Sequence, residues 1–128
     1  MKRRVLSVGQ CGMDHGSITR MVQKHFGAEV IGADTQEQAL AEARQSEIAL
    51  VLVNRLLDRD GSPGLDILRA FKADAELKDV PIMLVSNYEE AQREAVEQGA
   101  LVGFGKASLE EAGTLARLRE VLARGGNK

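Results

Sequence analysis

The sequence predicts one α/β domain, in which helices pack on both faces of a doubly wound parallel sheet of five strands. Short apolar runs alternate five times with helical patterns, which is typical of that class. Residues 48–54 are apolar up to the last position, as expected of a strand buried on both faces. A chain of 128 residues fits one domain with its own core. We place the domain at residues 1–124 and expect a frayed tail at 125–128.

The strands are predicted from short apolar stretches bounded by turn residues. They cover residues 5–8, 28–32, 48–54, 82–85 and 101–104. The helices between them are predicted from apolar residues at three- or four-residue steps. These positions are Ile18, Val22 and Phe26 in the first helix, Leu65, Leu68 and Phe71 in the third, and Leu115, Leu118 and Leu122 in the last.

Capping signals mark the ends of several helices. Thr35 with Gln38, and Ser108 with Glu111, each match the capping box that opens a helix. The alanine-rich fourth helix is expected to stop at Gly99, because glycine readily adopts the left-handed conformation that ends helices.

Charge and composition exclude several classes of protein. Lys and Arg total 17 against 19 Asp and Glu, and this balance argues against nucleic-acid binding, which usually needs a basic face. No apolar run approaches the roughly 20 residues of a membrane span, and the one near the amino terminus is too short for a signal peptide. The single cysteine, Cys11, excludes an internal disulfide and suits a reducing cytosol. We therefore expect a cytoplasmic protein with neither membrane nor nucleic acid as a partner.

Polar residues stand at the ends of three predicted strands. Asn54 ends strand three, Ser86 follows strand four, and Lys106 comes shortly after strand five. In open parallel sheets functional groups collect at the carboxyl ends of the strands, so we expect a pocket there. Asn54 has nearly the shape of an aspartate, but it carries no charge and no useful nucleophile.

These strand ends and one longer stretch resemble the receiver domain of two-component response regulators. Residues 99–106 read Gly-Ala-Leu-Val-Gly-Phe-Gly-Lys, which is similar to that family's signature of Gly-Ala, an aromatic residue and a lysine. The resemblance covers nearly the whole chain and implies a flavodoxin-like sheet of order 2-1-3-4-5. It makes Lys106 the family's lysine, Phe104 its switch aromatic and Ser86 the residue that contacts the phosphoryl group. Asn54 stands at the position of the phosphate-accepting aspartate.

The departures from that family concern its acidic pocket. Receivers follow strand one with two acidic residues that hold Mg²⁺, and the matching positions here are Gly9 and Gln10. Because a hard cation usually needs carboxylate ligands, we expect no metal and no cofactor. Asn54 cannot form an acyl phosphate, since its amide nitrogen is delocalised. The loop at residues 55–63 is about two residues longer than in the family, and Ala107 replaces a proline. We interpret the chain as a pseudo-receiver, a degenerate member of the family.

The retained polar residues have alternative interpretations. Lys106 is expected to donate to the side-chain oxygen of Asn54 or to Ser86, replacing the lost salt bridge with weaker hydrogen bonds. Ser86 has the alternative role of capping the following helix. Asp58 and Asp60 are interpreted as a turn, with a displaced pocket carboxylate as the alternative.

The segment after strand one carries further polar residues. Asp14 is expected to cap the first helix, with a metal or cofactor site as the alternative. His15 is expected to be exposed at the rim of the pocket. His25 is expected to be at the surface or partly buried, and Cys11 to be a small side chain near a strand end.

Protein–protein binding without phosphorylation is the function that this pattern favours, and we expect no catalytic residue. By resemblance, a signalling kinase, an output protein or a second copy of the chain would dock on the face of helix four, strand five and helix five. Residues expected on that face are Tyr88, Glu90, Lys106, Arg117 and Arg124. Two alternatives stay open: an atypical receiver phosphorylated with the help of a displaced acidic residue, and a small-molecule-binding domain. In the small-molecule-binding alternative, the residues at the rim of the pocket would be Cys11, Asp14, His15, Ser86 and Lys106.

Overall fold

Five strands and five α-helices alternate along the chain in the computed structural model, which describes residues 3–125. In chain order they are β1 Arg4–Val8, α1 Gly12–Phe26, β2 Glu29–Ala33, α2 Gln36–Gln45, β3 Leu50–Asn54, α3 Gly64–Ala73, β4 Ile82–Val85, α4 Glu89–Glu97, β5 Leu101–Phe104 and α5 Ala112–Gly125. A 3₁₀ helix, Lys106–Ser108, lies between β5 and α5.

The strands form one parallel sheet in the order β2-β1-β3-β4-β5. Both the α/β class and this order were predicted, and they are confirmed. The chain winds outward from β1 in one direction through β2 and in the other through β3, β4 and β5. Helices therefore cover both faces of the sheet.

Two apolar clusters fill the space between the sheet and the helices. Alternate residues of β3 point to opposite faces: Val51 and Val53 belong to the cluster under α2, α3 and α4, whereas Leu50 and Leu52 belong to the cluster under α1 and α5. Phe104 is buried in the second of these clusters. Since both faces are covered, all of β3 is buried, which accounts for its unbroken apolar run.

Two of the predicted helix ends are confirmed by backbone geometry. The Thr35 hydroxyl accepts a hydrogen bond from Gln38 N at 3.1 Å, so the second helix begins as predicted. Gly99 has a φ of 109° directly after the last turn of α4, in the left-handed region that favours glycine.

Two other capping predictions are wrong. Ser108 does not open α5, because it belongs to the 3₁₀ helix and α5 begins only at Ala112. Asp14 does not cap α1, because the helix starts at Gly12 and the capping residue is Cys11, whose Sγ accepts from Asp14 N at 3.4 Å. Asp14 instead lies in the first turn, where the helix dipole favours its negative charge.

The last helix extends one residue beyond the predicted domain limit at residue 124. Helix α5 runs to Gly125, and the rest of the predicted frayed tail, residues 126–128, lies outside the described residues. None of the helices within residues 3–125 is long and apolar enough to cross a membrane.

Candidate functional site

The predicted pocket residues meet at one edge of the sheet. The register of β1 with β3 brings Gly9 level with Asn54, and the register of β3 with β4 places Ser86 next to it. Lys106 follows β5 and comes to the same edge. The hydrogen bonds of these residues determine which polar atoms at this edge remain available to a ligand.

Asn54 is held at the centre of this edge by two hydrogen bonds and is only 8% exposed. Its Nδ2 donates to the backbone oxygen of Gly9 at 3.0 Å, and its Oδ1 accepts from Arg55 N at 3.0 Å. A carboxylate has no hydrogen to donate, so only an amide can make the first of these bonds. Asn54 thus ties the end of β3 to the end of β1.

Leu57 occupies the space beside Gly9. Gly9 has a φ of 73°, and a Cβ atom built on it would lie 2.3 Å from Leu57 Cδ2. The backbone oxygen of Gly9 accepts a second hydrogen bond, from Asp58 N at 2.9 Å. A side chain at position 9 would therefore collide with Leu57 as well as adopt a strained backbone.

The long loop between β3 and α3 carries Leu57 into this place. Leu57 N donates to Ser62 O at 2.8 Å, and Gly61 N donates to Leu57 O at 2.7 Å. Leu56 and Pro63 form an antiparallel bridge at the base of the loop. The loop is therefore a closed turn, with Leu57 buried on its inner side and Leu56 exposed on its outer side.

Gln10 also turns inward and is buried at the second position where receivers carry an acid. Its Nε2 donates to Leu52 O at 3.4 Å, a long hydrogen bond. Its Oε1 makes no hydrogen bond to the residues that the structure describes. The first two positions after β1 thus contribute a glycine and a neutral amide to this edge.

Lys106 does not contact Asn54 or Ser86, so its predicted hydrogen bonds are wrong. Its Nζ lies 2.8 Å from Asp14 Oδ2, in an ion pair between the turn after β5 and the first turn of α1. The hydrogen bond from Lys106 is the main reason why the pKa of Asp14 lies below its ordinary value.

Ser86 does not cap α4 as the alternative interpretation predicted, because the N-cap position is Tyr88 and α4 has no side-chain cap hydrogen bond. Its Oγ accepts from Tyr88 N at 3.1 Å and so stabilises the turn that leads into α4. This geometry accounts for a hydroxyl residue at the end of β4 without any phosphoryl group.

The remaining acidic and histidine candidates form no side-chain hydrogen bond to Asn54 among the described residues. Asp60 accepts hydrogen bonds from the backbone and hydroxyl of Ser62, and the hydroxyl bond is the main cause of its lowered pKa. Asp58 lies in the same exposed turn. His15 is half-buried against Gly32 of β2, rather than exposed at the rim as predicted. His25 is partly buried and lies 2.6 Å from a carboxylate oxygen of Glu110.

No three His, Cys, Asp or Glu side chains within residues 3–125 lie close enough together to hold one metal ion. The residues level with Asn54 supply amide and carbonyl oxygens in place of the carboxylates that Mg²⁺ prefers.

The flank of α4 that faces β5 carries an apolar groove of about 520 Å³. Val96 and Val102 lie in it and are 41% and 54% exposed. Tyr88 and Glu90, which were predicted for this face, line a second groove on the other flank of α4. Arg117 lies on α5 and is half-buried, and the side chain of Arg124 is outside the described part of the chain.

Comparison with known proteins gives matches among solved structures alone, since no protein-family model and no curated protein match the sequence significantly. NtrX from Brucella abortus is 23% identical over 98% of this chain and 28% of its own, with a TM-score of 0.77. The signal receiver domain of a DNA-binding response regulator from Colwellia psychrerythraea 34H is 15% identical over 95% of this chain and 99% of its own, with a TM-score of 0.79. The chemotaxis response regulator CheY4 of Vibrio cholerae is 21% identical over 95% of this chain and 100% of its own, with a TM-score of 0.72. The chain has the fold of response-regulator receiver domains.

Three residues that organise this receiver fold were missed in the sequence. Gln92 Nε2 donates to Leu84 O at 2.9 Å and to Ser86 O at 3.1 Å, and its Oε1 accepts from Gly103 N at 3.0 Å. Asn87 Oδ1 accepts from Ala107 N at 3.2 Å. The third residue, Leu57, could have been suspected, because it is an apolar residue inside a polar loop. Nothing in the sequence around Gln92 distinguishes it from a surface glutamine of a helix.

Proposed function

We propose that this protein is a pseudo-receiver: a non-enzymatic signalling module of the cytoplasm that binds a partner protein without being phosphorylated. A kinase or output protein, or a second copy of the chain, is the partner class that the receiver fold suggests. The observation that carries the proposal is the hydrogen bond from Asn54 Nδ2 to the backbone oxygen of Gly9.

The residues around Asn54 lack the groups that phosphorylation requires. An acyl phosphate forms on a carboxylate, with a metal ion that neutralises charge on the transferring group. Here the corresponding position is an amide whose nitrogen is already used as a donor, and Leu57 fills the place of a metal-binding side chain at position 9. Asp14, the acid paired with Lys106, is committed to that lysine.

Exposed apolar side chains on the α4–β5 flank support protein binding. Val96 and Val102 expose apolar side chains in one groove, although nearby positions of α4 are charged. Exposed apolar patches rimmed by polar residues are typical of interaction sites. We therefore propose that the partner docks on the α4–β5 flank.

Intact-mass spectrometry after incubation with acetyl phosphate and Mg²⁺ tests the first part. We expect no phosphate adduct on the wild type and little on Asn54→Asp. Adding Gly9→Asp and Gln10→Asp supplies ligands, but because of Leu57 we expect strong phosphorylation only when Leu57→Ala is added as well. Mg²⁺ should then raise the melting temperature of this quadruple variant and leave that of the wild type unchanged.

An adduct on the wild type would contradict the proposal. If Asp14→Asn abolished that adduct, the protein would be an atypical receiver that uses a displaced acid. If a bound small molecule appeared in native mass spectra instead, the small-molecule-binding alternative would replace it.

The docking surface is tested separately by the association state. If the partner is a second copy, sedimentation should show a dimer that Val96→Asp and Val102→Asp dissociate, while their melting temperatures stay near the wild-type value. If the wild type is a monomer, the same two variants serve as the test for any heterologous partner. A partner or second copy that binds both variants at wild-type affinity would refute the proposed surface.

A further inference from the structure

A second groove, of about 820 Å³, lies between the β3–α3 loop and the other flank of α4. Leu56 and Leu65 form one wall, and Tyr88 with Ala91 and Glu94 forms the other. The two grooves have Asn87, Glu89 and Arg93 in common, but Glu90 and Glu94 line only this one and Glu97 lines only the groove toward β5.

The walls of this groove are fixed before any partner arrives. Leu56 is held by its antiparallel bridge to Pro63. The Tyr88 backbone N donates to Ser86 Oγ, and the Arg55 guanidinium lies 4.8 Å from the centre of the Tyr88 ring. Even so, Tyr88 is 62% exposed, and Leu56 also lies at the surface. The groove therefore offers an aromatic and an aliphatic side chain in set positions.

The charge of the groove is negative on the side of α4. The helix carries four glutamates and one arginine. None of its glutamates forms an ion pair with another residue in the described part of the chain. Glu90 and Glu94 are one turn apart, so they lie on the same face of the helix. The groove also has two cations, Arg93 and Arg55, and the guanidinium of Arg55 lies against the Tyr88 ring. The three glutamates that line the groove outnumber these arginines by one.

We propose that this groove binds a basic, amphipathic segment of a protein partner. An apolar side chain of the segment would pack between Leu56 and Tyr88, while its Lys or Arg residues would pair with Glu90 and Glu94. Helix-in-groove recognition combines apolar anchors with such flanking charges. This surface is distinct from the α4–β5 groove and would function whether or not that groove does.

The test is an NMR titration of the intact, ¹⁵N-labelled protein with two synthetic amphipathic peptides, one built from Lys and Leu and one from Glu and Leu. With the basic peptide we expect amide shifts centred on Leu56, Tyr88 and Glu94. The acidic peptide should cause none at the same concentration. Added salt should weaken the basic complex, because exposed charges are screened.

Variants of α4 make the test specific. The double variant Glu90→Gln, Glu94→Gln should raise the Kd for the basic peptide about fivefold, as expected for two exposed ion pairs. Glu97→Gln removes the same kind of charge from the other flank and should leave the Kd within about twofold, a change of about 0.4 kcal/mol. All of these positions are exposed, so the fold of the variants can be verified by their unchanged circular dichroism.

Three results would overturn the inference: no binding of the basic peptide, equal binding of both peptides, or a double variant that binds like the wild type. Shifts centred on Val96 and Val102 would also overturn it, yet they would support the α4–β5 docking surface. The two proposals can therefore fail independently.

Discussion

The sheet edge around Asn54 and the flanks of α4 differ in the exposure of their side chains. Polar and apolar groups are paired or buried at the edge, whereas along α4 they remain exposed. At the edge, Asn54 and the backbone of Gly9 are bonded to each other, and Leu57 is buried between the loops. Along the flanks of α4, exposed apolar side chains come from the helix itself and from its neighbours, namely Leu56, Tyr88, Val96 and Val102. The glutamates of α4 form no ion pair among the described residues.

The two regions are therefore suited to different roles: the edge around Asn54 to stabilising the fold, and the flanks of α4 to binding a partner. Groups that satisfy each other inside the protein stabilise the fold but have nothing left for a ligand. Groups that stay exposed contribute little to the fold and remain available for binding. We therefore expect substitutions at the edge to change stability, and substitutions on α4 to change association.

The sharpest comparison is between two adjacent leucines of one loop. Leu57→Ala should lower the free energy of unfolding by about 3 kcal/mol, because it removes a buried side chain and leaves a cavity. Leu56→Ala should cost less than about 1 kcal/mol, since that side chain is already exposed. Urea denaturation of both variants measures the difference, and equal losses would show that the loop does not close over Gly9.

Two glycines that flank the first turn give the next largest contrast. Gly9→Ala should destabilise the fold by about 2–3 kcal/mol, through the strained φ and the overlap with Leu57. Gly12→Ala should be neutral or slightly stabilising, because Gly12 is helical and no atom outside its own helix lies within 4 Å of the added methyl. Combining Gly9→Ala with Leu57→Ala should cost less than the sum of the two single changes, as a double-mutant cycle would detect.

Two asparagines test the direction of the hydrogen bonds. Asn54→Asp should cost about 2 kcal/mol, since it replaces a buried donor with an acceptor that faces the Gly9 carbonyl. Asn87→Asp should stay within about 0.5 kcal/mol, because the Asn87 side chain bonds to the described residues only through its oxygen, which a carboxylate retains. Thermal unfolding at neutral pH compares them, and a stable Asn54→Asp protein would refute the role assigned to the amide.

The smallest expected effect concerns the ion pair of Asp14 and Lys106. Lys106→Met should lower the free energy of unfolding at pH 7 by about 0.5–1 kcal/mol. Because folding lowers the pKa of Asp14 from its ordinary 3.8, the pair stabilises the fold above that pH and loses its contribution as the pH falls through the lowered value.

The wild type and Lys106→Met should therefore converge in stability in acid and in high salt. Lys78→Met is the matched control, since Lys78 is exposed and forms no ion pair with another described residue. A constant difference between wild type and Lys106→Met down to the lowest pH at which both fold would exclude the pair as its cause.

The fold was largely predictable from the sequence, because the signals that define it are local. Each strand is its own apolar run, and β3 reads as continuous because both faces of the sheet are covered. The order of the strands was implied by the resemblance to receiver domains, and right-handed crossovers then place helices on both faces of the sheet. The capping box at Thr35 was legible for the same reason, since its two partners are three residues apart.

The contacts of the site were much less predictable, because they join residues far apart in sequence. The pairing of Lys106 with Asp14 depends on where α1 begins, and the sequence suggested a later start capped by Asp14. The position of Leu57 depends on how the long loop folds back over β1. The polar and glycine residues of this loop predict a turn, but they do not indicate whether Leu56 or Leu57 is the buried leucine.

Gln92 has a consequence for how fast partners can bind. Its side-chain amide forms hydrogen bonds with four backbone groups around the staggered junction of β4 and β5, so a shift of α4 would break these bonds. A helix fixed in this way presents its grooves in one conformation, and no slow rearrangement precedes docking. Association rates should then be set by encounter and orientation, at about 10⁵–10⁷ M⁻¹s⁻¹. Gln92→Ala should lower the association rate, because α4 would then occupy several positions and only one of them would bind the partner.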